Sequence, residues 1–199
     1  VDMGLESYPL TRQKPQAIDP LLELTVTAAA SLGEYILSGD QKVGLISNGS
    51  DAADRYPEDW SGGSFRRLDE ALEKTDLRSE LTTYQPIEMT PAKGHWQQER
   101  LLTALARLMP HGSVTLPELL MTELPRLPRS LVLMVITPAL NRELNSVLGS
   151  LKRSGIETAV VWTQSPEQNS FAGAVIPRNI PVYRVRDSVD IEQLGGRSL

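Results

Sequence analysis

Apolar positions along this chain recur at two spacings, and where each spacing holds it predicts an element. Val1 to Leu5 reads as the end of a strand, and Glu6 to Ile18 is a polar loop with two prolines. Asp19-Pro20 then marks a helix start, because an aspartate can accept from free amides and proline is tolerated in a first turn. Leu22, Val26, Ala29, Leu32 and Ile36 fall on one face of a helix over Leu21 to Leu37, ended by Gly39. Val43 to Ile46 is a short apolar strand closed by Asn48-Gly49, a pair that reads as a turn because both residues accept positive φ.

The strongest helical stripe runs over His95 to Met109, with Leu101, Leu102, Leu105, Leu108 and Met109 on one side and Trp96 anchoring the first turn. Thr115 and Pro117 open a shorter helix, Leu116 to Leu124. Leu131 to Ile136 is continuously apolar, as a strand covered on both faces should be. An amphipathic helix follows over Asn141 to Arg153, with Leu140, Leu144, Val147, Leu148 and Leu151 inward. Ile156 to Trp162 and Pro181 to Val185 complete the strands, and Ile191 to Leu194 forms a short last helix.

Strands and helices that alternate in this way predict an α/β fold, with a doubly wound, mostly parallel sheet and helices on both faces. The whole chain, 1–199, reads as one domain. The charged stretch 51–90 reads as an insertion within it. Inside that stretch, Phe65 to Leu77 suits a surface helix and Leu81 to Met89 has strand character.

Composition narrows the chemistry. The absence of cysteine removes disulfides, thiolate zinc sites and thiol nucleophiles together. A formal net charge of -5, with Arg66-Arg67 as the main basic cluster and acids immediately after it, argues against a nucleic-acid partner. No apolar run reaches the roughly 20 residues that span a bilayer. The chain opens without an initiator Met and in the middle of a strand, which reads as a segment of a longer protein.

In sheets of this kind ligands bind beyond the carboxyl ends of the strands. Those ends hold Asp2, Gly4, Glu6 and Ser7; Ser47, Asn48, Gly49, Ser50 and Asp51; Thr137, Pro138 and Asn141; and Thr163, Gln164 and Ser165. They carry no histidine. Ser47-Asn48-Gly49-Ser50 lacks the Gly-Lys-Ser/Thr of a phosphate-binding loop, and no Gly-x-Ser-x-Gly elbow occurs. His95 and His111 sit at helix edges beside Gly94 and Gly112 and read as capping or surface residues. Of the tryptophans, Trp162 reads as core and Trp60 as an exposed contact residue. No catalytic residue is assigned.

Three stretches together resemble the bacterial "domain of unknown function 58" family. They are Val43-Gly-Leu-Ile-Ser-Asn-Gly-Ser-Asp-Ala-Ala-Asp-Arg55, Pro91-Ala-Lys-Gly-His-Trp-Gln-Gln-Glu-Arg-Leu-Leu-Thr-Ala-Leu-Ala-Arg-Leu108, and Arg126-Leu-Pro-Arg-Ser-Leu-Val-Leu-Met-Val-Ile-Thr-Pro138. The likeness covers roughly residues 1–163. It implies a von Willebrand factor A-like domain on the cytoplasmic side of a bacterial inner-membrane protein, with a MoxR-type AAA+ ATPase as partner. Such domains often bind a divalent cation through Asp-x-Ser-x-Ser, a distant Thr and a late Asp. Here Asp2 is kept, Gly4 and Glu6 replace both serines, Ser113 or Thr115 stands for the Thr, and Thr137 replaces the late Asp.

The resulting expectation is a metal-independent protein-interaction domain, without cofactor, whose contact surface includes Ser47, Asn48, Asp51 and Trp60. The alternative is a Mg²⁺-dependent binder using Asp2, Glu6, Thr115 and Thr137. A phosphate-ester-handling enzyme is the third reading and rests on fold analogy alone.

Overall fold

The computed structural model describes residues 1–8, 19–55, 86–164 and 179–196. Among them are five α-helices and seven strands. In chain order the elements are α1 (Pro20–Ser38), β1 (Val43–Ser47), β2 (Ser50–Asp51), β3 (Ile87–Ala92), α2 (His95–Ala106), β4 (Leu108–Met109), α3 (Leu116–Glu123), β5 (Val132–Thr137), α4 (Arg142–Arg153), β6 (Glu157–Thr163), β7 (Val182–Val185) and α5 (Ser188–Gly196).

The chain is mixed α/β. Strands β5, β6 and β7 form a parallel three-stranded sheet, while β1 pairs antiparallel with β3 and β2 antiparallel with β4. The first residues lie between the two larger sheets. The Val1 amine donates to the Ile46 carbonyl (2.7 Å) and the Asp2 amide to the Ile136 carbonyl (2.8 Å). Farther along this segment, the His111 amide donates to the Met3 carbonyl (2.8 Å).

Successive residues of the parallel sheet enter two separate cores. Ile136, Val161 and Val185 pack with Leu21, Ala28, Leu32, Leu101 and Leu105 from α1 and α2. Val135, Val160 and Trp162 pack with Leu120, Leu144, Leu148 and Leu151 from α3 and α4. Side chains alternate across a strand, so β6 and the carboxyl half of β5 are covered on both faces, while Val132 at the start of β5 stays exposed. This is why Leu131 to Ile136 shows no polar alternation.

Several local expectations need correction. Helix α1 buries Leu21, Thr25, Ala28, Ala29, Leu32 and Leu37, while Leu22, Val26 and Ile36 are only partly buried. The buried stripe contains Thr25, whose hydroxyl lies 2.8 Å from that of Thr163 on β6. A threonine in the inward face shifts the apparent apolar face by about one residue. Helix α2 ends at Ala106, because Leu108 and Met109 leave it to pair with Asp51 and Ser50. Trp96 does not anchor its first turn; it is 73% exposed. The buried residue there is Gln97, whose side-chain amide donates to the carbonyls of Val43 (2.6 Å) and Thr90 (3.0 Å) and ties α2 to β1 and β3.

Of the expected strand Leu81 to Met89, residues 81–85 lie outside the described residues, and Ile87 to Met89 lie in β3, which runs on to Ala92. Ile87 to Thr90 therefore belongs to a sheet, at the margin of the stretch read as an insertion. Its greater part, with the expected helix Phe65 to Leu77, lies outside the described residues. Neither Asn48 nor Gly49 has positive φ. Gly49 is needed for another reason. A Cβ there would lie 2.7 Å from the Met109 carbonyl and 2.9 Å from the Met3 Cβ.

Candidate functional site

The ends of β1 and β5 converge on Asp2. Its backbone is fixed by the bond to Ile136, which places the carboxylate beside Thr137, the last residue of β5. The side chain is 2% exposed. Oδ2 accepts from the hydroxyls of Thr137 (2.7 Å) and Ser7 (2.9 Å). Oδ1 accepts from the Gly4 amide (3.1 Å) and, at longer range, from the Asn48 side-chain amide (3.4 Å). A buried carboxylate is costly unless it is paired or hydrogen-bonded, and these donors supply that compensation.

Asn48 is the second hub. Its Oδ1 accepts from the Met3 amide (2.6 Å), and its Nδ2 also donates to the Val114 carbonyl (3.1 Å). It thereby joins the end of β1, the first residues and the loop before α3. Tyr8 closes the cluster from below by donating its hydroxyl to the Asp2 carbonyl (2.7 Å). Burial pushes the Tyr8 phenol well above its ordinary pKa of 10.0, and the charge of Asp2 adds to the shift. Phenolate in such a place would lose both water and its role as donor.

Of the other candidate cation ligands, Glu6 stays near enough to Asp2 to feel its charge, and Thr115 is engaged elsewhere. The Glu6 carboxylate folds back over Gly4, where a Cβ would collide with it. Partial burial raises its pKa, and the charges of Asp2 and Glu118 add to this against the bond from its own backbone amide. Thr115 donates to the Glu118 carboxylate through its amide (2.8 Å) and its hydroxyl (2.9 Å), and the Glu118 amide donates back to the Thr115 hydroxyl (3.4 Å), a capping box at the start of α3. The two bonds to the carboxylate, the amide one first, lower the Glu118 pKa. Ser113 turns its amide to His111 Nδ1 (3.2 Å).

The residues expected on a contact surface are divided. Ser47 and Asn48 are fully buried, and Ser47 Oγ accepts from the Gly49 amide (3.1 Å). They build the strand ends from inside and do not present themselves to a partner. Asp51 is half-buried on β2, where it accepts from the Ala53 amide (2.7 Å). Trp60 lies outside the described residues. Trp162 is in the core as expected, with its indole N–H donating to the Pro138 carbonyl (3.1 Å).

Sequence reasoning missed Tyr8 and the exposure of Trp96. A single aromatic inside the polar stretch Glu6 to Ile18 was the available signal for Tyr8. Trp96, with Asp51, Ile87, Met89, Arg100 and Arg107, lines an open groove of about 360 Å³ beside β3 and α2. His95, next to it, pairs with Glu99 one helical turn on (3.2 Å).

Among the described residues, four hydroxyl or amide donors reach the Asp2 carboxylate, and its bonds there bring in no histidine, lysine or arginine. The evident chemical capacity of the cluster is to hold strand ends in register. Among the described residues no helix is long and apolar enough to cross a membrane. Comparison of the chain with protein-family models, with curated proteins and with solved structures found no match.

Proposed function

We propose that this chain is a von Willebrand factor A-like interaction domain of a membrane-attached bacterial protein, of the "domain of unknown function 58" kind. In this reading it acts on the cytoplasmic side with a MoxR-type AAA+ ATPase and catalyses nothing itself. The observation that carries the reading is the order of hydrogen-bonded neighbours: β3, β1, the Val1–Gly4 segment, β5, β6 and β7. In a doubly wound sheet the chain starts near the middle, winds outward one way and then returns to wind outward the other way. The helices against both faces support the same architecture.

In that architecture ligands meet the protein at the point where the winding reverses, beyond the carboxyl ends of the strands. Here that point lies between the first segment and β5, where Asp2 and Thr137 meet. The side chains at the point bond one another, which favours a preformed docking face over a reacting centre. Affinity capture tests the proposal. The tagged domain, incubated with lysate of its source organism with and without ATP, should enrich an AAA+ ATPase identified by mass spectrometry. Recovery of no ATPase in either condition removes the adaptor role.

A further inference from the structure

A carboxylate buried at strand ends can be compensated in two ways, by a cation or by hydrogen-bond donors. Among the described residues, four donors reach Asp2, from Gly4, Ser7, Asn48 and Thr137, two to each of its oxygens. A carboxylate offers about four lone-pair sites, so this set fills it. Mg²⁺ demands near-octahedral oxygen ligation at about 2.0–2.1 Å and gives up its water reluctantly. To admit it, Ser7 and Thr137 would have to turn their hydroxyl protons away from Asp2 inside a buried cluster.

The remaining positions do not repair the deficit. Gly4 has no side chain, the Glu6 carboxylate folds over Gly4 onto its own backbone amide, and the Thr115 hydroxyl is held by Glu118. The decisive residue is Thr137. A second carboxylate at that position would face Asp2 across a separation that is now 2.7 Å between Oγ1 and Oδ2. Two carboxylates that close repel unless a cation or a shared proton lies between them. A hydroxyl there donates instead.

We infer that donors of this chain stand in for a divalent cation at Asp2, so that the carboxyl-end face is locked without metal and Thr137 is the residue that makes the ion dispensable. The inference deepens the proposed interaction role, since it makes the docking face constitutive and independent of ion supply. Its hydrogen bonds, however, stand whether or not an ATPase is the partner.

The test is thermal unfolding of the wild-type chain, Thr137→Asp and Asp2→Asn, each in chelator and in millimolar Mg²⁺ or Mn²⁺. Wild-type Tm should be the same in both. Thr137→Asp should melt several degrees lower in chelator and recover on adding the ion. A rise in wild-type Tm with Mn²⁺ that is lost in Asp2→Asn overturns the inference. So does a Thr137→Asp chain as stable as wild type in chelator. If Thr137→Asp does not fold, calorimetric titration of the wild type with Mn²⁺ decides. Absence of heat supports the inference, and a saturable binding isotherm overturns it. Because only the purified chain and metal ions are used, failure here is distinct from failure to capture an ATPase.

Discussion

Asp2 and Thr137 stand 135 positions apart in sequence yet share the shortest of the described bonds to the Asp2 carboxylate, 2.7 Å. Asp2→Ala would leave the Ser7 hydroxyl and the Gly4 amide without their acceptor, while the Thr137 hydroxyl keeps the Ala139 carbonyl (3.1 Å). Each buried orphan costs about 1–3 kcal/mol, so the variant should lose roughly 2 kcal/mol or more in urea denaturation. A loss under about 1 kcal/mol would show that the cluster relaxes freely. Tyr8→Phe removes a single donor and should cost about 1 kcal/mol at neutral pH. Its pH signature is separate. The folded-state phenol titrates above its ordinary value of 10.0, so its contribution is present below that pH and is lost as pH rises beyond it. Wild-type stability should therefore fall above pH 10 more steeply than that of Tyr8→Phe; equal alkaline slopes would contradict the assignment. Sequence position alone brought Asp2, Asn48 and Thr137 forward as strand-end residues. It did not show that they bond one another, because nothing local in a sequence encodes a contact over such a separation.

At the scale of elements, the legible features were those set by local rules. Asn141 accepts from the Leu144 amide (2.8 Å) at the start of α4, and Lys152 and Arg153 close that helix where its dipole favours cations. Asn141→Ala should lower stability by about 1 kcal/mol, read as a shift in denaturation midpoint without a change in slope. The illegible features were those where a tertiary contact overrode a local pattern. Thr25 sits in the buried stripe of α1 because the Leu21 carbonyl one turn back and the Thr163 hydroxyl on β6 together satisfy its hydroxyl, and Leu108 leaves the α2 stripe because β2 offers it a strand partner. Gly49 belongs to the same class, since its requirement comes from Met109 and Met3 rather than from its own φ. Gly49→Ala should cost about 1–3 kcal/mol by overpacking, whereas a turn glycine with free space around it would tolerate the change if its φ were negative.

For the whole molecule, alternating strands and helices made the α/β class readable, and the continuous apolar run of β5 announced a strand covered on both sides. The mixed pairing was less readable. β3 runs antiparallel to β1, and the 51–90 stretch that hid it has too little periodicity to mark where the strand begins. Function was the least legible level, because a fold of this class serves many roles and the strand ends carry only hydroxyls, amides and acids. The proposed role has one most direct measurement. The purified domain and a purified MoxR-type AAA+ ATPase from the same organism would be mixed and followed by sedimentation velocity, once with ATP and once with ADP. The account predicts a faster-sedimenting complex containing both proteins, in amounts that differ between the two nucleotides. Two species sedimenting independently in both nucleotides would contradict it.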